Sequence, residues 1–512
     1  MRRAPSFSCI AAAALCAASA QAQDGNPPPA EQDARQGISL GLAPGTPQVG
    51  ALPGGLTPAY GQRAADEKEW RFDFHGFFTM PLRAGFNSRA GTATTEQHTG
   101  VLHAPPVVPD YRDSFAYTTV VPQPYVQLNF SYGNSVVTGN VNILSRTATT
   151  AASFYHPPEQ SGISDAFLNF RLPGLAKNTH VEVNVGAFTN RYGIMGEYDE
   201  GKYGTPIIAR TNGIGENVIA KFGFGNAVLQ LEQGIQGQLD KMPNDVLPAG
   251  WNGFADPNAG TGFVHHLHAG VGYLSTATLG LHYMSAWTQD DRASQSIQPD
   301  GKLGILGADV RLTTGNLGHL YVGASHTTAD NVRSIGRIAE VLNTGGGNGL
   351  IANYLGPNSA GTGKLLTFAA QYDLSVMSVL RYPEVFTGDS PDVVLSLFAM
   401  QTHVTSRDAA YDGVTKRKFG AEGAYGILSW LGASLRVDGV VPDDGDGEQS
   451  FAIVSPRVIF RSKWQAHDQV VLQYSHFFNG SGVAVRSGYP AAIDRTLHPD
   501  QDVLSLSASM WW

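Results

Sequence analysis

The sequence predicts an all-β protein: a transmembrane antiparallel up-and-down β-barrel of 18 strands, with short turns at one rim and long loops at the other. Three observations lead there. The last ten residues, Val503 to Trp512, alternate with period two, with Leu504, Leu506, Ala508, Met510 and Trp512 on one face and Ser505, Ser507 and Ser509 on the other. Alternating segments of about ten residues, the length a tilted membrane strand needs, recur from Trp70 onward. The connections between them alternate short and long, as in membrane barrels.

Taken in order, residues 1–22 read as an export signal. Arg2 and Arg3 form a basic start, Cys9 to Ala20 is a short apolar run, and Ala20-Gln21-Ala22 fits a small-x-small cleavage site, so the mature chain would begin at Gln23. Residues 23–69 are rich in proline and glycine and poor in large apolar side chains, which predicts a loosely ordered periplasmic segment, with a plug as the alternative. Residues 70–512 form the barrel. Its strands are expected near 70–79, 124–133, 135–144, 164–172, 180–189, 215–224, 226–235, 264–274, 277–287, 303–313, 317–326, 365–374, 392–401, 417–427, 430–439, 451–461, 467–477 and 502–512. Tight turns fall at Gly133-Asn134, Gly225, Ser275-Thr276, Thr314-Gly315-Asn316 and Leu428-Ser429. Long loops fall near 80–123, 145–163, 190–214, 236–263, 288–302, 327–364, 402–416, 440–450 and 478–501. An even strand number with long first and last connections puts both termini in the periplasm. The stretch 375–391 should be a short turn and is not, which marks where the count would slip from 18 to 16.

Composition narrows the function classes. The formal net charge is −9, and removal of Arg2 and Arg3 makes it more acidic, which argues against a nucleic-acid partner. Both cysteines, Cys9 and Cys16, lie in the export signal, so a disulfide framework, a thiol metal site and a cysteine nucleophile are excluded from the mature chain. No stretch after the signal reaches 18 apolar residues, which excludes a spanning helix but not spanning strands. No cofactor is indicated.

The alternation assigns faces. Outward positions are apolar, with aromatics near strand ends, and inward positions are Asn, Gln, Ser, Thr, His and charged groups. At 16 to 18 strands a polar interior is wide enough to hold water. Inward charges expected on the pore wall are Arg71, Asp73, Arg171, Glu182, Lys221, Glu232, Asp309, Arg311, Lys418, Glu422, Arg436, Asp438, Arg457 and Arg461, with a mild basic preference in the last third.

With this strand pattern, loop asymmetry and terminal aromatic strand, the chain resembles a Gram-negative outer-membrane porin over most of 70–512. The resemblance implies an outer-membrane channel for passive diffusion of small hydrophilic solutes or ions. Its implied partners are outer-membrane lipid and lipopolysaccharide, the solutes themselves, the barrel-assembly machinery acting on the strand that ends at Trp512, and, by analogy alone, a homotrimer. A local stretch, Gln473-Tyr474-Ser475-His476-Phe477-Phe478-Asn479-Gly480, is similar to the end of alginate-export-type barrels, but the strongly basic constriction of those proteins is missing. Substrate-selective or polysaccharide export, and an adhesion or scaffold barrel with a closed lumen, are the alternatives.

In porins the third long loop folds inward. Here that loop carries Arg191, Glu197, Asp199, Glu200, Lys202 and Arg210, opposed charges that would set a transverse field across a constriction. Loop 327–364 folds into the lumen as readily as outward. His266 and His268 fall inward beside His282, but no nearby carboxylate completes a metal set, so they read as lumen lining. The acidic run Asp443 to Glu448 has hard oxygen ligands without calcium-loop spacing and reads as a solvated loop. A lipase reading fails because Ser475 and His476, as sequence neighbours, point to opposite faces. The chain is not expected to be an enzyme.

Overall fold

The computed structural model describes residues 69–86, 125–145, 161–172, 178–191, 210–238, 261–274, 276–289, 301–313, 318–332, 350–376, 393–447, 450–462, 468–480 and 501–511. They form one closed sheet of 18 antiparallel strands. These are β1 (Arg71–Phe86), β2 (Tyr125–Gly133), β3 (Val137–Ser145), β4 (Ser161–Leu172), β5 (Thr179–Arg191), β6 (Arg210–Phe224), β7 (Ala227–Gln238), β8 (Thr261–Tyr273) and β9 (Ala277–Gln289). The second half holds β10 (Lys302–Thr313), β11 (His319–Asp330), β12 (Gly363–Ser375), β13 (Val393–Ser406), β14 (Thr415–Leu428), β15 (Leu431–Val441), β16 (Phe451–Phe460), β17 (Asp468–Asn479) and β18 (Gln501–Trp511). A short helix, α1 (Leu350–Leu355), lies in the β11–β12 connection.

Each strand pairs with its sequence neighbours, and β18 closes on β1 from Phe77↔Trp511 to Phe86↔Asp502. Closure leaves no sheet edge with unpaired backbone groups, the condition for a sheet to stand in hydrocarbon. All eighteen expected strands are present, which excludes the alternative of 16. Around the suspected stretch, β12 and β13 pair directly from Gly363↔Ser406 to Ser375↔Val394, so no strand is missing there.

Several strands run past their expected ends. The largest difference is β1, expected to stop at Thr79. Among the described residues its pairing with β2 ends at Thr79↔Tyr125, while its pairing with β18 continues through Pro81 to Phe86.

The turns follow local chemistry. Asn134 Oδ1 accepts from the N–H groups of Val136 and Val137 at 2.9 and 3.0 Å, closing the β2–β3 hairpin. Gly225 takes φ +59° between β6 and β7, a conformation that a two-residue hairpin loop requires and glycine adopts without steric cost.

The outward face is apolar. Leu506 on β18, Leu306 on β10 and Phe368 on β12 are 44, 62 and 50% exposed, while Ser505 and Ser507 beside Leu506 are buried. At the short-turn rim Trp70 stacks near Tyr132 (5.1 Å between centroids) and Trp430 near Phe460 (6.3 Å), and towards the other rim Phe263 meets Trp287 (6.0 Å). An apolar band between aromatic rows is the surface a bilayer solvates. Among the described residues no helix is long and apolar enough to cross a membrane, which leaves strands unaddressed.

Candidate functional site

The inward face is built by alternation. A polar residue at every second position of a strand whose other residues are apolar can only meet the lumen. The inward charges expected from sequence all have this parity, but most are buried rather than lining an open bore. Lys418, Arg436, Asp438 and Arg457 are exposed by no more than 2%, whereas Arg71, at the short-turn rim, is exposed.

Buried charge is tolerable only when paired and hydrogen-bonded, and this wall is arranged so. Arg457 Nη1 donates to Glu422 Oε1 at 2.6 Å across β15, and Arg457 Nε to Gln473 Oε1 at 3.0 Å. Gln473 donates to Ser475 Oγ at 2.8 Å, and the hydroxyls of Ser455 and Ser475 meet at 2.9 Å. Arg436 holds both oxygens of Asp438, with Nε–Oδ2 at 2.8 Å and Nη2–Oδ1 at 2.9 Å. Arg461 Nε reaches the Asp468 carbonyl at 3.4 Å. On β4 to β6, Arg171 is the register partner of Glu182, Glu182 bonds His180, and His180 is the register partner of Lys221. Asn142 donates to Asp165 at 2.8 Å and Asn217 to Glu232 at 3.1 Å.

The histidine reading needs a correction. A carboxylate does stand beside the cluster: Glu232 Oε1 is 3.3 Å from His266 Nε2, and His268 is the register partner of both Glu232 and His282. Asp309 joins from β10. A Cβ built on Gly280 would lie 2.3 Å from Asp309 Oδ1 and 3.0 Å from His268 Nε2, and one on Gly307 would strike the His282 ring at 2.1 Å. These glycines leave the space in which the rings lie flat on the wall. Cross-strand register, absent from local sequence, brings the carboxylates in. Among the described residues no group of three or more His, Cys, Asp or Glu is arranged to hold a metal ion.

The third-loop residues Glu197, Asp199, Glu200 and Lys202 lie outside the described residues. Arg191 and Arg210 are the last register pair of β5 and β6, of which only the backbone is described.

The sixth long loop holds the feature that sequence left open. Its described part turns into the barrel mouth. Ile351, Tyr354 and Leu355 of α1 are at most 1% exposed and join one apolar cluster with Leu365, Val404, Tyr411 and Val440. Leu365, Val404 and Val440 are lumen-facing wall residues, so α1 packs against the inside of the wall on the β12–β15 side. Its seat is fixed by polar contacts. Asn358 N–H donates to Asp408 Oδ2 at 2.9 Å, Asp408 N–H to Ser406 Oγ at 2.9 Å, and Thr362 Oγ1 to Asp330 Oδ1 at 3.3 Å. Gly356 has φ +89°, and a Cβ there would meet the Tyr411 ring at 2.5 Å. Lys416 Nζ lies over the rings of Tyr354 (5.6 Å) and Tyr411 (5.5 Å) and donates to the Pro442 carbonyl at 3.2 Å. Burial, and then the Asp408 carboxylate, pushes the Tyr411 phenol up to about 12, and burial pushes Tyr354 up as well, so both stay neutral at the cation.

Ser475 and His476 lie on opposite faces, as alternation predicts. His476 faces outward and bonds Asp502 at 2.6 Å, while Ser475 faces inward to Ser455, so no Ser–His pair forms there. In the acidic run, Asp444 pairs with Arg417 at 3.3 Å and Asp443 Oδ1 accepts from Gly445 N–H at 2.8 Å.

No family model matches the chain. No curated protein is significantly similar to it in sequence. Among solved structures the chain is similar to several outer-membrane porins. The anion-selective porin from Comamonas acidovorans has a TM-score of 0.42 and 7% identity, covering 87% of this chain and 100% of that one. OccK5 (OpdH) of Pseudomonas aeruginosa has 0.38 and 11%, covering 86 and 98%. OmpT of Vibrio cholerae has 0.37 and 9%, covering 86 and 98%.

Proposed function

We propose that this chain is an outer-membrane channel that passes small hydrophilic solutes or ions passively, and is not an enzyme. One observation carries the reading: a closed 18-strand sheet whose outward face is apolar and whose inward face is polar except for an apolar stretch towards the long-loop rim. Hydrocarbon solvates the first face and water or polar solute the second. In this reading residues 1–22 are the export signal, 23–69 the periplasmic segment, and both termini are periplasmic. The assembly machinery engages the strand ending at Trp512. The exposed and half-buried inward charges, Arg71, Asp73, Arg171, Glu182, Lys221 and Arg311, tune which ions pass, while the buried ones, Glu232, Asp309, Lys418, Arg436, Arg457 and Arg461, hold the wall. Glu197, Asp199, Glu200 and Lys202, with Arg191 and Arg210 at their base, contribute a second narrowing.

A second reading, a substrate-selective or gated channel, is favoured by the apolar packing of Ile351, Tyr354 and Leu355 inside the mouth. A wide unobstructed bore has no such element.

The test is single-channel recording of refolded protein in a planar bilayer, first in symmetric KCl and then under a KCl gradient. Steady conductance with a measurable reversal potential is expected. Silence from protein shown to be folded by heat-modifiable gel mobility would overturn the open-channel reading in favour of the gated one. Replacing Glu197, Asp199 and Glu200 by Gln or Asn is expected to move the reversal potential towards anions. An unchanged potential would remove the third loop from the pore.

A further inference from the structure

The outward wall carries an ionisable cluster beside the seam where the barrel closes. Tyr474 and His476 lie two residues apart on β17 and so share its outward face, and Asp502 of β18 stands directly opposite His476 in the register. Tyr474 Oη donates to Asp502 Oδ1, His476 Nδ1 meets the same oxygen at 2.6 Å, and Nδ1 and Oη are 3.5 Å apart. Donor atoms of three different side chains therefore converge on one point.

The packing of the wall does not call for these groups. The positions around them follow the apolar rule: Leu504 is the register partner of Tyr474, Phe86 of β1 is the register partner of Asp502, and both are exposed. Phe478, the next outward residue towards the long-loop rim, sets its ring edge-on to the His476 ring with centroids 4.2 Å apart. With aromatics level with it and beyond it, the cluster lies at the edge of the apolar band, where ionisable groups are costly and mark sites. Its side chains stay reachable from outside, His476 being 25% and Asp502 15% exposed.

We infer that Tyr474, His476 and Asp502 form a metal site that takes a first-row transition-metal dication and ties β17 to β18. An imidazole nitrogen, a carboxylate oxygen and a phenolate oxygen are ligands suited to such ions. Metal bonds of about 2.0–2.2 Å place neighbouring donor atoms about 3 Å apart, near the spacing found between these three side chains. The ion takes the place of protons: Tyr474 releases its phenol proton to water, and His476 presents Nδ1 bare while its own proton sits on Nε2. A search for His, Cys, Asp and Glu alone passes over this set, because its third ligand is a phenol. The inference rests on the outward faces of β17 and β18 and not on conduction.

The test is titration of folded protein in detergent micelles with Cu²⁺, the dication of this row that such donor sets bind most tightly, read by visible absorption and electron paramagnetic resonance. One equivalent is expected to give a phenolate-to-copper charge-transfer band together with coupling to one imidazole nitrogen. Y474F is expected to lose the band and H476Q the nitrogen coupling. Each of these, and D502N, should bind Cu²⁺ at least about ten-fold more weakly, the loss that even a partner outside the ligand shell produces. Added Cu²⁺ should also raise the urea midpoint of intact protein and leave that of Y474F unchanged. Y474F keeps the ring and removes only the ligand oxygen, so the answer does not depend on D502N folding. Absence of the band from intact protein, shown to be folded by heat-modifiable gel mobility, would overturn the site. So would a Y474F variant that binds Cu²⁺ as tightly as intact protein, which would mark an adventitious ion only, held by the His476–Asp502 pair. Either failure would leave the channel reading standing, since conductance is measured separately.

Discussion

At the long-loop end of β12, β13 and β15 the lumen face carries Leu365, Val404 and Val440, packed on Ile351, Tyr354 and Leu355 of α1. One or two inward positions further along the same strands it carries Thr367, Thr402, Asp438 and Arg436, bonded to one another or to their own strand. The mouth is held by dispersion and water exclusion with a few hydrogen bonds at the end of α1, and the wall below by hydrogen bonds and ion pairs. The two react differently to damage. A buried polar network loses heavily when one member is removed, because its partner stays buried and unsatisfied. An apolar loop contact can open locally without unravelling the sheet that supports it.

The largest effect is therefore expected in the network. Arg457→Ala strands Glu422 and is expected to cost about 3–5 kcal/mol in urea unfolding from vesicles. The double variant E422L/R457L removes both charges and should recover most of that loss. A loss under about 1 kcal/mol for the single variant would mean that water, not the pair, solvates Glu422. Next comes Ser455→Ala, which removes one neutral hydrogen bond to Ser475 and should cost about 0.5–1.5 kcal/mol by the same assay. The smallest global effect is expected at the mouth. Truncating a core aromatic ordinarily costs about 3–5 kcal/mol, but Tyr354→Ala should change the unfolding midpoint by less than about 1 kcal/mol, since α1 detaches before the barrel does. A full core-sized loss would show instead that α1 is part of the cooperative barrel.

Much of the fold was legible because barrel strands write their pattern into sequence. Ser505 and Ser507 against Leu504 and Leu506 give both the strand and its faces, and Asn134 and Gly225 give the hairpins. The lumen was legible residue by residue but not pair by pair. Glu232 and His266 are far apart in sequence and meet only through the β7–β8 register. Arg457 reaches over β15 to Glu422, which alternation alone does not reveal. The mouth was least legible. Leu350–Leu355 is too short to show helical periodicity, and Val404 and Val440 look like any other alternating strand residues until α1 is seated on them.

The most direct test of a channel narrowed at its mouth is the single-channel conductance of intact protein beside I351A/Y354A/L355A in the same bilayer. Steady conductance is expected from the intact chain and a larger one from the variant, with both folded by heat-modifiable mobility. Equal conductance would contradict the placement of the narrowing at α1, and silence from both would contradict the channel itself.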